Sequence, residues 1–250
     1  MQRYERALVI GASSGIGRAI AEQLLKEGTR VALVARRQAP LDDVAANYSG
    51  SAFVYPHDVT DYAKAPALFQ QITHNLGGLD LIVYASGVMP AIEENEYSFE
   101  KDREMIEVNL LGAIAWLNEA AKRFERTKGG TIVGISSVAG ERGRRGNPAY
   151  GASKAALSSF LESLRNRLSR YGVRVVTIKP GFIDTDMVRG KPGLFWVISA
   201  EKAAKQILHA AKRASSPMLG TNIAYIPGRW GYVTGLLKCI PSFVFRRLPI

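Results

Sequence analysis

Residues 7–17 read Ala7-Leu-Val-Ile-Gly11-Ala-Ser-Ser-Gly15-Ile-Gly17. A short apolar run breaks into three glycines, and an amphipathic stretch, Ile16–Lys26, follows. This order predicts strand, tight turn, helix. The turn must reverse sharply, its backbone must come close to a ligand, and the helix must pack tightly on the strand; a side chain obstructs each. A helix that opens there offers unpaired N–H groups and partial positive charge, which suits a pyrophosphate. Gly11, Ser13, Ser14, Gly15, Ile16 and Gly17 are therefore the candidate cradle. The spacing is G-x-x-x-G-x-G rather than G-x-G-x-x-G, so on its own it fits a dinucleotide site or a ligand-free glycine turn.

Outward from this stretch, short Val/Ile-rich runs alternate with longer amphipathic ones. The runs Arg6–Ile10, Arg30–Ala35, Ser51–Tyr55, Leu79–Tyr84, Thr131–Ser136, Val173–Ile178 and Asn222–Ile226 are apolar on both faces, as buried parallel strands are. Helical patterns cover Tyr62–Asn75 behind Asp61 as N-cap, Asp102–Arg126, Tyr150–Tyr171 and Ala200–Arg213. The βαβα order predicts an α/β protein: a single-domain, doubly wound Rossmann fold with a seven-stranded parallel sheet flanked by helices on both faces. Residues 1–228 make this body, and 229–250 form an apolar, basic tail of the same domain.

Composition narrows the function classes. The 250 residues are 47% hydrophobic and 22% charged, which excludes a disordered or fibrous chain. One cysteine, Cys239, excludes an internal disulfide framework and points to a reducing, cytoplasmic setting. The three histidines show no metal-ligand spacing, so no metal is expected. The opening residues lack a secretory-signal pattern, and no run of about 18 apolar residues would span a bilayer. Net charge is +11. A polyanionic cofactor, an anionic membrane surface or plain solubility each account for it. Nucleic acid is not expected, because no recognition motif accompanies the charge.

The second strand ends at Ala35-Arg36-Arg37. A carboxylate reading a ribose 2′-hydroxyl belongs about 20 residues past the glycines, yet Arg36 stands there, 19 residues after Gly17. A guanidinium suits a 2′-phosphate, which a carboxylate repels. Arg36 and Arg37, with Ser13, therefore favour NADP(H) over NAD(H), unless the pair is merely solvated.

Further on, Ser137 closes a strand, and Tyr150-Gly-Ala-Ser-Lys154 opens a helix. Tyr150 and Lys154, four residues apart, share one helix face. An ammonium there favours ionisation of the phenol. With these residues and the glycine loop, the chain resembles the short-chain dehydrogenase/reductase family across nearly all of residues 1–228. The 13-residue interval from Ser137 to Tyr150 fits as well, as do Asp58-Val59, Asn109 and Pro180-Gly181-Phe-Ile183-Asp-Thr185.

The resemblance implies roles by position. Tyr150 is the general acid of reduction, or the base of oxidation. Lys154 holds the nicotinamide ribose and lowers the phenol pKa, and Ser137 hydrogen-bonds the substrate oxygen. Asn109 holds a helix irregularity and a water that links Lys154 to solvent. Asp58 and Val59 contact adenine. Pro180, Gly181, Ile183 and Thr185 frame the nicotinamide, and the backbone of Ala85, Ser86 and Gly87 packs on the adenine ribose. The family also implies a homodimer or homotetramer through the long helices.

Two departures stand out. Tyr84-Ala85-Ser86-Gly87 replaces the family's usual Asn-Asn-Ala-Gly, and Ile226-Pro-Gly-Arg-Trp230 replaces its acidic-residue–Gly-Gly ending. The apolar knot Leu194, Phe195, Trp196 and Ile198 reads as a substrate lid or as a loop anchor. The tail Arg229–Ile250 reads as a helix across the cleft, a dimer contact or a membrane-surface anchor. The cluster Arg142, Arg144 and Arg145 attracts an acidic substrate or is solvated. The expected activity is NADP(H)-dependent interconversion of an apolar, lipid-like ketone and its secondary alcohol. The rivals are a 3-oxoacyl-carrier reductase, a non-catalytic NADPH sensor or scaffold, and a protein peripheral on a membrane.

Overall fold

The computed structural model describes residues 3–190, 193–213 and 222–248. Lys191 and Pro192 of the substrate loop, and the last two residues of the tail, lie outside them. Seven strands form one parallel sheet: β1 (Arg6–Ile10), β2 (Arg30–Ala35), β3 (Ala52–Pro56), β4 (Leu81–Tyr84), β5 (Gly130–Ile135), β6 (Val173–Pro180) and β9 (Ile223–Ile226). A small parallel pair, β7 (Ile183–Asp184) and β8 (Ile198–Ser199), lies between β6 and β9 in the chain. The order β3-β2-β1-β4-β5-β6-β9 reverses direction between β1 and β4, where open α/β sheets bind ligands. The sheet is the predicted doubly wound Rossmann arrangement.

Strand alternation sorts the core into two layers. Ala7 and Val9 of β1, with Leu81 and Val83 of β4, face α1 (Gly15–Lys26), α2 (Gln38–Ala46) and α7 (Ala200–Arg213). Leu8, Ile10, Ile82 and Tyr84 face α3 (Ala65–Asn75), α5 (Gly112–Thr127) and α6 (Pro148–Leu168). Both faces are buried, so the strands read as unbroken apolar runs.

Helix boundaries differ from the sequence pattern in three places, each for a local reason. The third helix starts at Ala65 with Pro66 in its first turn, not behind Asp61, whose carboxylate instead pairs with Lys64 at 2.7 Å. Helix α2 is absent from the expectation because Pro40 interrupts its pattern and only Leu41 and Val44 reach the core. The stretch Asp102–Arg126 is not one helix. It comprises α4 (Phe99–Ile106), a π-helical turn at Glu107–Leu111, and α5.

The tail forms two further helices, α8 (Trp230–Cys239) and α9 (Ser242–Phe245). A buried carboxylate ties α8 down. Glu141, on the 3-10 turn Val138–Glu141, accepts hydrogen bonds from Lys179 of β6, Lys238 of α8 and the Tyr225 hydroxyl of β9. Burial favours its protonated form. Hydrogen bonds from the two lysines, the Lys179 charge and Tyr225 outweigh burial and hold the carboxyl below its ordinary value near 4.5. Because this pKa is depressed in the folded state, the contribution is complete above pH 4.5 and is lost as pH falls through the folded value. Glu141→Gln should therefore cost about 3 kcal/mol at pH 7, since two cations lose their buried partner. Urea unfolding at pH 7 and pH 3 should show the gap to the parent closing at the lower pH. A gap of equal size at both would remove the ionic origin.

Candidate active site

A cleft of about 940 Å³ lies along the carboxyl edge of the sheet, across the β1/β4 switch point. Gly11 has φ +90°, and a Cβ there would come within 2.6 Å of the Ser86 backbone N. A Cβ on Gly17 would fall 2.1 Å from the Gly11 carbonyl oxygen. Only glycine allows the turn to close on β4 while α1 starts beneath it. Ser13, Ser14, Gly15 and Ile16 line the cleft beside this turn.

Arg36 and Arg37 flank the far end of the cleft. The sequence around Arg36 shows no acid, but the fold brings one from the end of β3. The Asp58 carboxylate lies 3.8 Å from the Arg36 guanidinium, with both side chains well exposed. Asp58 also accepts two hydrogen bonds from Thr60. Burial would raise its pKa, but those bonds and the Arg36 charge hold it below the usual value.

At the other end stand Ser137, Tyr150 and Lys154. Ser137 ends the strand segment, and its Oγ accepts from Ala139 N at 3.0 Å. The turn it opens lies hard against α6: a Cβ on Gly140 would sit 2.7 Å from Ala155 N. Helix α6 begins behind Asn147, which holds a left-handed backbone at φ +52° and accepts from Tyr150 N. Asn147 also donates to the Pro90 carbonyl at 3.2 Å, tying the start of α6 to the opposite wall. The sequence reading missed this residue, although Asn before Pro and a helical run is a capping signal.

Desolvation raises the pKa of the Tyr150 phenol, and a hydrogen bond from Ser137 only partly offsets this. The expected depression by Lys154 is not what the structure shows. The Lys154 Nζ lies 5.8 Å from the phenol ring centre and donates to the Ile135 carbonyl at 3.0 Å. Burial, which deprives the ammonium of water, brings its own pKa from 10.5 down to about 8.

All the cleft residues expected from sequence line this cavity, Val59, Ala85, Ser86, Gly87, Pro180, Gly181, Ile183 and Thr185 among them. Asn109 is the exception. It is fully buried one layer behind, on the π-helical turn. Its amide exchanges hydrogen bonds with the Val88 backbone and donates to Ser153 Oγ at 3.1 Å. Space beside Gly87 separates it from Lys154, since a Cβ there would stand 3.3 Å from both Asn109 Oδ1 and Lys154 Nζ. Tyr84 turns away from the cleft. Its buried hydroxyl donates to the Val108 carbonyl at 2.6 Å, within the same π turn.

The three arginines part company. Arg142 donates to the Leu237 carbonyl and stacks on Phe245, and Arg145 donates to the Arg246 carbonyl at 2.7 Å. Arg144 alone lines the cleft; burial lowers its pKa, and no described carboxylate pairs with it. The apolar knot has its own geometry. Phe182 of the cleft wall, Phe195, Trp196 and Trp230 meet edge to face or tilted, with ring centres 5.2–5.9 Å apart.

A glycine turn at the switch point, with a serine–tyrosine–lysine group at the sheet edge, places the chain among the α/β oxidoreductases. The chain belongs to the short chain dehydrogenase family, whose model matches residues 5–192. It is 39% identical over 187 residues to an uncharacterized oxidoreductase of Myxococcus xanthus, covering 74% of each chain. A second uncharacterized oxidoreductase, from Staphylococcus epidermidis, is 32% identical over 210 residues, covering 84% of this chain and 91% of that one. A solved short-chain dehydrogenase from Streptomyces avermitilis superposes with a TM-score of 0.82 at 27% identity, covering 94% and 93%. The structure of ElxO with NADP bound shares the fold, with a TM-score of 0.80 at 22% identity over 92% and 99%.

Lys154 gives a direct check on the site's electrostatics. In the cofactor-free protein its ammonium should titrate near pH 8, against about 10.4 for ordinary lysines. NMR of the labelled side-chain nitrogen reads this, with Lys154→Met assigning the signal. A titration near 10 would mean that the ammonium is hydrated.

Proposed function

We propose that the protein is an NADP(H)-dependent carbonyl reductase acting on an apolar, lipid-like ketone, or on the matching secondary alcohol in reverse. The observation that carries this reading is the Ser137–Tyr150 hydroxyl pair with buried Lys154 beside it, at the sheet edge that the glycine cradle opens. The cradle fits a pyrophosphate because Gly11 and Gly17 let the turn close on the end of β4 and on the start of α1, where any Cβ would strike backbone, and a helix N-terminus there suits an anion. Bound there, the nicotinamide supplies or accepts hydride.

The chain's own groups handle the proton. Tyr150, whose pKa is raised, holds its proton at neutral pH and is equipped to donate it to a carbonyl oxygen as negative charge grows. Ser137 donates to that same oxygen. Lys154 would hold the ribose hydroxyls, and a water in the gap beside Gly87, between Lys154 and the Asn109 amide, would restore the proton.

Arg36, well exposed and only loosely held by Asp58, supplies the guanidinium for a 2′-phosphate, with Arg37 beside it. Asp58 and Val59 would hold the adenine, and Thr185 with Ile183 the carboxamide. A free ketone is preferred to a 3-oxoacyl chain on an acidic carrier, because of the three arginines only Arg144 lines the cleft. Assembly as a homodimer or homotetramer through α4, α5 and α6, and a cytoplasmic setting, belong to the same reading.

A screen of NADPH consumption across steroid, sphingoid, acyl and small aromatic ketones tests it. Oxidation of NADPH by none of them, with NADPH still bound, would favour a sensor. Tyr150→Phe should lower kcat by about 10²-fold or more while NADPH affinity holds; an unchanged kcat excludes the acid role. Arg36→Asp should reverse the preference for NADPH over NADH in kcat/KM. An unaltered ratio would move the phosphate contact elsewhere.

A further inference from the structure

Eleven large hydrophobic side chains stand exposed among the described residues, and seven fall within residues 195–197 and 232–244. Tyr232 and Leu236, 81% and 71% exposed, lie four apart on one side of α8. Phe243, 58% exposed, follows on α9. The opposite side of α8 is fixed: Trp230 and Thr234 are buried, and Lys238 reaches Glu141. The helix is thus held with its apolar side outward. From the buried side of the same helix, Trp230 packs on half-exposed Phe195 and Trp196, and through Phe182 on the cleft wall.

The C-terminal segment that carries this surface is basic; Lys212 and Lys238 pair with Glu27 and Glu141, and Arg229, Arg246 and Arg247 edge the apolar side chains. Residues 202–250 contain eight Lys and Arg and no Asp or Glu. The Arg229 guanidinium lies 4.6 Å over the Trp196 ring, a cation seated on an exposed aromatic. Arg246 and Arg247 are exposed next to Phe243. Apolar side chains edged by Arg229, Arg246 and Arg247 match an anionic lipid surface, which takes the former into its head-group boundary and the latter at its phosphates. A second copy of the chain matches poorly, because a two-fold contact would set the same cations against each other. No helix among the described residues is long and apolar enough to cross a membrane, so the contact is peripheral.

We propose that the outer face of α8 and α9, with the Phe195–Trp196 knot, docks the protein on an anionic bilayer. This goes beyond the oxidoreductase reading and does not rest on it. It places the cleft mouth beside the lipid.

The test is co-sedimentation of the full chain with vesicles of phosphatidylcholine alone, or with about 30% phosphatidylserine. Partitioning should be about tenfold or more stronger on the anionic vesicles and should weaken as salt is raised. The double variant Leu236→Glu, Phe243→Glu should lose about tenfold or more of that binding with an unchanged thermal transition, since both side chains are exposed. Equal binding to the two vesicle types, or full binding by the double variant, overturns the proposal. Self-association that the variant abolishes, without vesicle binding by the parent, also overturns it and makes a second copy the occupant. No outcome depends on turnover.

Discussion

The turn after Ser137 can lie against α6 only because Gly140 has no side chain, and most of the site follows from that contact. It brings the serine hydroxyl to the phenol one helix turn before Lys154. It buries Lys154 under the end of β5, where the Ile135 carbonyl is its acceptor. It also aims Glu141 the other way, into the two lysines that hold β6 and α8. One short turn therefore serves the chemistry on one side and the architecture of the C-terminal segment on the other.

A second constraint acts from behind the cleft. A π-helical turn shifts the hydrogen-bond ladder by one residue and leaves carbonyls in need of donors. The Tyr84 hydroxyl meets one of them, at Val108. With the turn held, the Asn109 amide is pinned between the Val88 backbone and Ser153. What looks in the sequence like a lost asparagine at position 84 is a tyrosine recruited to hold another asparagine in place.

Much of the fold was legible because parallel strands buried on both faces leave continuous apolar runs, which glycine and charge punctuate. Helix α2 was not, since two core residues around a proline make no period. The break in the 102–126 stretch was hidden because an inserted residue barely disturbs the spacing of Met105, Val108, Ala113 and Trp116; only the family likeness at Asn109 pointed to it. The direction of Tyr84 was available from strand alternation, since Ile82 and Tyr84 share a face. Other features depend on distance in space. Arg36 and Asp58 meet from the ends of different strands. Arg142, Arg144 and Arg145 are equivalent in one dimension and separate only when the C-terminal segment claims two of them.

The aromatic knot also makes the cleft optically self-reporting. The protein has three tryptophans. Trp116 is sealed in the core, whereas Trp196 and Trp230 lie with ring centres 5.9 Å apart, one half-exposed and one buried. Indoles that close exchange excitation, so their emission reports on the pair together. Any movement of the loop carrying Trp196 changes the polarity around the outer ring and hence the colour of the intrinsic fluorescence, with no added label.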